Sequence, residues 1–290
     1  MSFPAFGGER HTDRQFPKRG EAMAVSTPVR KTEQLETSQK KQRIEILDAL
    51  RGAGILYVVM YHVLYDLQRI FFPEIDCGIF DLGSLFMRFS HILLVGMLFF
   101  VSGICTAFSR SVLKRGLFIF ALGELLTVGT YLFMPDMLIR FGVLTFLGTS
   151  MLLYGLIKPL AEKINHPALC IFWLILFFMF RTMPYDGFVR FLAWKMSVPE
   201  GLYKYEFLYP LGIMSDSFRS ADYFPLIPYG FIFMAGTSLS AYIKAKRDSL
   251  PSFCMKRVPL LCFMGRHSLI IYFAHQPLAF GILALLDKCL

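Results

Sequence analysis

The chain has 290 residues, 55% of them hydrophobic and 16% aromatic, with a mean hydropathy of +0.52 and a net charge of +9. A soluble domain is typically about 45–50% apolar even by a count that includes glycine, and one soluble core of this composition would expose larger apolar patches than soluble monomers carry. The charge does not indicate nucleic acid, because basic residues sit in short stretches between apolar runs, where they set membrane orientation, or in an N-terminal stretch that can touch anionic lipid.

Residues 1–43 hold Gly7-Gly8, several prolines and many Lys and Arg. They read as a disordered cytoplasmic tail. No secretory signal precedes Ile44. Met23 begins a plausible shorter chain, which makes the first 22 residues a candidate start-site artefact. From residue 44 to 290 long apolar runs recur, each near the roughly 20 residues that a membrane helix needs. The spans fall at 46–70, 89–108, 116–133, 138–157, 167–180 (extendable to Met183), 223–243 and 268–286. The expected fold class is therefore all-α, a polytopic membrane helical bundle of about seven transmembrane helices.

The basic stretches alternate. Arg110, Lys114 and Arg115 follow the second span, and Lys158 and Lys163 the fourth. Lys244, Lys246, Arg247, Lys256, Arg257 and Arg266 lie between the sixth and seventh. With the basic tail they share one side, while Glu74, Asp76 and Asp136 fall on the other. That bias puts the N-terminus in the cytoplasm and the C-terminus outside. The long stretch from Met183 to Asp222 then lies outside; with Tyr185, Trp194, Tyr203 and Tyr205 it either roofs a substrate cavity or forms an interfacial cap without chemistry. No internal repeat is visible, which tells mildly against a transporter built on inverted repeats.

Ionisable groups inside spans are costly in hydrocarbon and so are the most informative residues. Arg51 and His62 are eleven residues apart, which places them about 20° apart around the first helix and about 16 Å apart along it. Asp48 and Asp66 fall near the same stripe, three residues before Arg51 and four after His62. A carboxylate one turn from an imidazole can orient it and stabilise its charged form, as a general base requires. The bland reading has Arg51 snorkelling to lipid phosphates and His62 making a helix–helix hydrogen bond. Four polar groups on one stripe favour function. His91 opens the second span, Glu124 lies in the third and His275 in the seventh; each alone fits packing as well as a cavity role.

The six cysteines, Cys77, Cys105, Cys170, Cys254, Cys262 and Cys289, show no metal-ligand spacing, so no metal is expected. Cys105, Cys170 and Cys262 read as small core residues, and a Cys77–Cys289 disulfide on the outer side is conceivable but disfavoured. Ser102, before Gly103, reads as a close-packing position and not a nucleophile. Phosphate-binding glycine loops, HExxH and serine-hydrolase elbows are missing.

The segment RIEILDALRGAGILYVVMYHVLYDL resembles the first span of bacterial proteins in the heparan-alpha-glucosaminide N-acetyltransferase catalytic-domain family. So do FFPEID, LFFVSGICTAFSR, LIRFGVLTFLGTSMLLYG, FRSADYFPLIPYGFIFMAGT and GRHSLIIYFAHQPL, in family order from about Arg43 to Pro277. The wider membrane acyltransferase superfamily, including the acyltransferase-3 family, has an Arg followed by a His eleven residues later in its first span, as Arg51 and His62 are here. The resemblance implies that His62 is catalytic. In the lysosomal heparan enzyme an Asn is expected at the place of His62, with a functional His further on; His91 is the nearest candidate.

The resemblance further implies transfer of an acetyl group from cytoplasmic acetyl-CoA, as co-substrate, to an acceptor across the membrane. In the lysosomal enzyme that acceptor is a terminal glucosamine amine; here an envelope sugar or exported glycan is expected. Arg51 and Arg115 would hold the CoA phosphates. His62, oriented by Asp66, would act as base or carry the acyl group, and His91, Glu124, His275 and Asp48 would line the cavity. The expected location is the plasma membrane, with the lipid bilayer and acyl-CoA as partners, homo-oligomerisation left open and no nucleic acid. Two other classes remain: a proton-coupled transporter relaying through His62, Asp66 and Glu124, and a membrane scaffold without chemistry.

Overall fold

The computed structural model describes residues 43–164, 166–191 and 194–289. Seven of the described helical segments are long and apolar enough to cross a bilayer: Glu45–Phe71, Leu85–Phe108, Val112–Phe133, Val143–Ile164, Leu169–Asp186, Leu226–Ala245 and Ser268–Cys289. The protein is an all-α polytopic membrane bundle. The expected tail lies outside the described residues except for Arg43, whose guanidinium ion-pairs with Asp48 at 3.1 Å.

Helix α1 (Glu45–Asp66) continues through a π-helical turn to Phe71. Helix α2 (Leu85–Ile104) starts at Ser84, whose Oγ accepts from the Met87 N–H at 3.2 Å. Helix α3 (Val112–Phe133) is capped by Ser111 in the same way, from Lys114 N–H at 3.3 Å. Each cap satisfies one of the donors that a helix start leaves unpaired. Helix α4 (Val143–Ile164) follows, then α5 (Leu169–Phe180) and the short α6 (Met183–Asp186), which ends at Gly187 with φ +70°. A small antiparallel hairpin, β1 (Phe188–Phe191) and β2 (Trp194–Ser197), pairs Phe188 with Ser197. Helix α7 (Leu226–Ala245), α8 (Pro259–Arg266) and α9 (Ser268–Cys289) complete the bundle.

Helices α1, α2, α4 and α7 are the more buried spans, and α3, α5 and α9 lie outside them. Between membrane helices packing replaces the hydrophobic force, and Phe99, Phe146 and Phe233 supply it where α2, α4 and α7 meet. All three are fully buried, and the Phe99 and Phe146 ring centres are 4.5 Å apart. Ser102 donates its Oγ–H back to Leu98 O of its own helix at 2.7 Å, and it is neighbouring Gly103 that meets α7, where a Cβ would sit 2.2 Å from Phe233 O.

The stretch between α7 and α9 departs from the sequence expectation of a plain basic loop. Eight of its residues form α8, which lies along the start of α1. A Cβ on Gly265 would come within 1.8 Å of Asp48 O, and one on Gly52 within 1.9 Å of Leu261 O. Arg266 folds onto α1: it donates to both Glu45 carboxylate oxygens at 2.6 Å and to Asp48 Oδ2 at 3.2 Å.

At the opposite end of α1, residues 220–224 are stitched to the segment leading into α4. Arg140 N–H donates to Ser220 Oγ at 2.8 Å, Ala221 N–H to Leu138 O at 2.9 Å, and Phe224 N–H to Phe141 O at 3.0 Å. Phe141 adopts φ +56°, a left-handed conformation rare for a bulky residue. That turn ends the extended approach and starts α4 at Val143, whereas the sequence placed the span from Leu138. The six cysteines are free, Cys77 and Cys289 included.

Candidate active site

A cavity of about 320 Å³ opens between α1, α2, α3, α9 and residues 221–224. One face of α1 contributes Tyr57, Tyr61, His62, Tyr65 and Asp66, positions that helical geometry stacks along a single side. His91 enters from α2, and His275 and Gln276 enter from α9. The structure thus brings His62, Asp66, His91 and His275 to one cavity wall.

The imidazoles of His62 and His275 face each other with ring centres 5.1 Å apart. His275 Nδ1 lies against the Tyr272 carbonyl. A carbonyl can only accept, so Nδ1 carries the proton and Nε2 keeps its lone pair. That Nε2 is buried without a partner, as are His91 Nδ1 and Gln276 Oε1. Buried polar atoms left unpaired are costly and rare. Here three of them belong to residues of one cavity, where a bound molecule can satisfy them.

Asp66 stands one turn from His62, but among the described residues its carboxylate accepts from Gln276 Nε2, at 3.1 and 3.0 Å, rather than from the His62 ring that it was expected to orient. The carboxylate therefore ties α1 to α9. His91 packs 4.6 Å from the Tyr61 ring and stacks on Phe224.

Asp222 was not singled out from the sequence. It is 8% exposed, lines the cavity, and accepts at Oδ2 from Val143 N–H at 3.1 Å and Tyr272 O–H at 3.2 Å. Burial pushes its carboxyl above the usual carboxylate range, and those two hydrogen bonds and the His91 charge pull it partly back. Gln276 and Tyr272 also went unnoticed. The available signal for Asp222 was an acid set among aromatics and prolines in FRSADYFPLIP.

Two further clefts flank this wall. One of about 350 Å³ shares Tyr61, His91 and Asp222 with the cavity and adds Tyr185, Arg219 and Tyr223. The other, about 310 Å³, shares Tyr65 and adds Arg140, Arg219 and Ser220. Part of the 183–222 stretch therefore roofs the cavity, and its hairpin does not line these clefts.

Arg51 and Asp48 lie elsewhere. Arg51 donates to Asp48 Oδ1 at 2.5 Å and to Gly265 O at 3.4 Å, while its Nε is buried and unpaired. Asp48, 2% exposed, is held by Arg43, Arg51 and Arg266 together. Arg115, exposed at the start of α3, is close enough to Arg51 for their charges to interact. This cluster sits at the far end of α1 from Asp66. The cavity wall begins at Tyr57 and Val58, about 9 Å further along the helix from Arg51. Glu124 is outside the wall as well, accepting from Thr145 Oγ1 at 3.3 Å between α3 and α4.

Residues 43–277 match the family model described as heparan-alpha-glucosaminide N-acetyltransferase, catalytic. No curated protein and no solved structure matches the chain. A match over this much of the sequence, on a bundle with an imidazole-lined interior cavity, means that the chain belongs to the heparan-alpha-glucosaminide N-acetyltransferase catalytic-domain family and is a membrane acetyltransferase in general kind.

Proposed function

We propose that this protein moves an acetyl group from cytoplasmic acetyl-CoA to an amine or hydroxyl of an extracytoplasmic, sugar-bearing acceptor, from a seat in the plasma membrane with its N-terminus in the cytoplasm. The observation that carries this reading is the set of unpaired polar atoms, His275 Nε2, His91 Nδ1 and Gln276 Oε1, on a cavity that also holds His62.

His62 removes the proton from the acceptor as its nitrogen or oxygen attacks the thioester carbonyl. The new bond to the acyl carbon forms, the C–S bond breaks, and the imidazolium returns the proton to the CoA sulfur. His275, whose ring centre lies 5.1 Å from that of His62 and whose Nε2 is unpaired, shares or replaces that role. Gln276 and Asp66 fix the wall, and His91 with Asp222 borders the acceptor side. Arg51 and Arg115 meet the CoA phosphates at the other end, and the unpaired Arg51 Nε offers a donor there. The thioester must still travel from Arg51 past Gly54 and Ile55, so donor binding has to part α1 from its neighbours at that level.

Acetyl transfer from radiolabelled acetyl-CoA in proteoliposomes tests the reading. His62→Ala should lower kcat by about 10²–10⁴-fold, the usual contribution of a general base. Turnover equal to wild type removes His62 from the mechanism.

A further inference from the structure

The polar and apolar parts of the cavity wall are separated along the bundle axis. His62, His275 and Gln276 sit at its centre. Beyond them, away from Arg51, the wall continues as Ile70, Leu126, Thr130, Met134, Met137 and Phe280. Phe280 marks the direction, because its ring lies 5.1 Å from Phe71 at the far end of α1. Thr130 carries the one side-chain hydroxyl among these six, and that group is occupied: it donates to Leu126 O at 2.9 Å and accepts from Ile139 N–H at 3.1 Å. Tyr65 and Asp66 also lie beyond His62 on this wall, the Asp66 carboxylate taken by Gln276 and Tyr65 bordering the polar cleft; the six residues further in form an arm that presents hydrocarbon.

A sugar placed along Ile70, Leu126, Met134 and Phe280 would lose water from its hydroxyls and gain no partner from those side chains, at a cost of kilocalories per group. The pantetheine of a CoA arriving from the Arg51 end reaches the imidazoles without entering the arm. The arm therefore lies on the acceptor's side of the reacting centre. It opens where α3 ends: Met134, the residue that closes that helix, is 37% exposed, α3 packs chiefly on α4, and the cavity separates it from α1 and α9.

We infer that the arm holds a hydrocarbon anchor, so that the acceptor is a lipid-linked amine or alcohol entering from the leaflet remote from Arg51. Its head group lies at His62 and His275 and its chain runs along Leu126, Met137 and Phe280. This rests on the acyl-transfer reading and adds the class of acceptor to it.

Two measurements on the full chain in proteoliposomes decide the matter. In the first, an alkyl glucosaminide with a photoreactive group near its chain terminus is irradiated with the protein. Labelled peptides should cover 126–137 and 270–280, and excess dodecyl glucosaminide, but not palmitoyl-CoA, should abolish the label. Label confined to other segments overturns the inference. So does displacement by palmitoyl-CoA, which would assign the arm to a long acyl donor.

In the second, acetyl transfer to dodecyl glucosaminide is compared with transfer to methyl glucosaminide. The alkyl acceptor should have a kcat/KM higher by about tenfold or more, since each buried methylene adds to binding. Leu126→Trp, which fills the arm, should bring the ratio towards one. Equal use of both acceptors by wild type overturns the inference. If neither acceptor takes label while the photoprobe still marks 126–137, the acyl-transfer reading fails and the hydrocarbon site stands.

Discussion

Asp222 holds the roofed end of the cavity together because three elements meet at one oxygen: the roof that carries it, the start of α4 through Val143, and α9 through Tyr272. Its raised carboxyl pKa fixes the sign of a pH effect. Relative to the unfolded chain, the folded protein holds this proton more tightly. The stabilising contribution is full below the ordinary carboxylate pKa and is lost as pH rises through the folded value. Asp222→Asn cannot titrate. The wild-type minus Asp222→Asn difference in Tm should therefore grow more favourable to wild type as pH falls across that window, followed by thermal unfolding in detergent. A difference that is flat with pH contradicts the assignment. Legibility at this scale was uneven. Of the α1 stripe, the four-residue spacing that sets His62 and Asp66 on one wall was legible, because four residues is close to one helical turn; Arg51, eleven residues before His62, shares the helix face but lies outside the cavity with Asp48. Asp222 and Gln276 were not legible, because their neighbours are distant in sequence, and local spacing says nothing about which side chain a loop residue or a ninth helix will meet.

At the scale of elements, hydropathy located every span, since length and apolar content are local properties. The boundaries drifted where tertiary contacts set them. Phe141 in its left-handed turn delays α4, and α8 was missed because Lys256, Arg257 and Arg266 gave that stretch the charge of a loop. What makes α8 a helix is its seat on α1. Gly265→Ala should test that seat: a methyl group within 1.8 Å of Asp48 O forces the helices apart, at about 1–3 kcal/mol by analogy with other overpacked interfaces. The expected result is a clear drop in Tm. A variant as stable as wild type would mean that α8 moves away without loss.

For the whole molecule, the proposed orientation makes Cys77 and Cys289 extracytoplasmic and Cys254 cytoplasmic. All three are free and at least partly exposed, which makes them reporters. In intact cells a membrane-impermeant maleimide should label Cys77 and Cys289 and reach Cys254 only after permeabilisation. The reverse pattern inverts the topology and places Arg51 on the wrong side for cytoplasmic CoA. The roof of the cavity bears on this larger scale too. Because residues 220–224 are laced to the lead-in of α4, that strip cannot flap on its own. A push on it tilts the fourth helix as a lever, and the tilt arrives first at Thr145, one residue beyond Leu144, where Glu124 of α3 is attached. Crowding under the ceiling would thus be felt as a shear between the third and fourth spans.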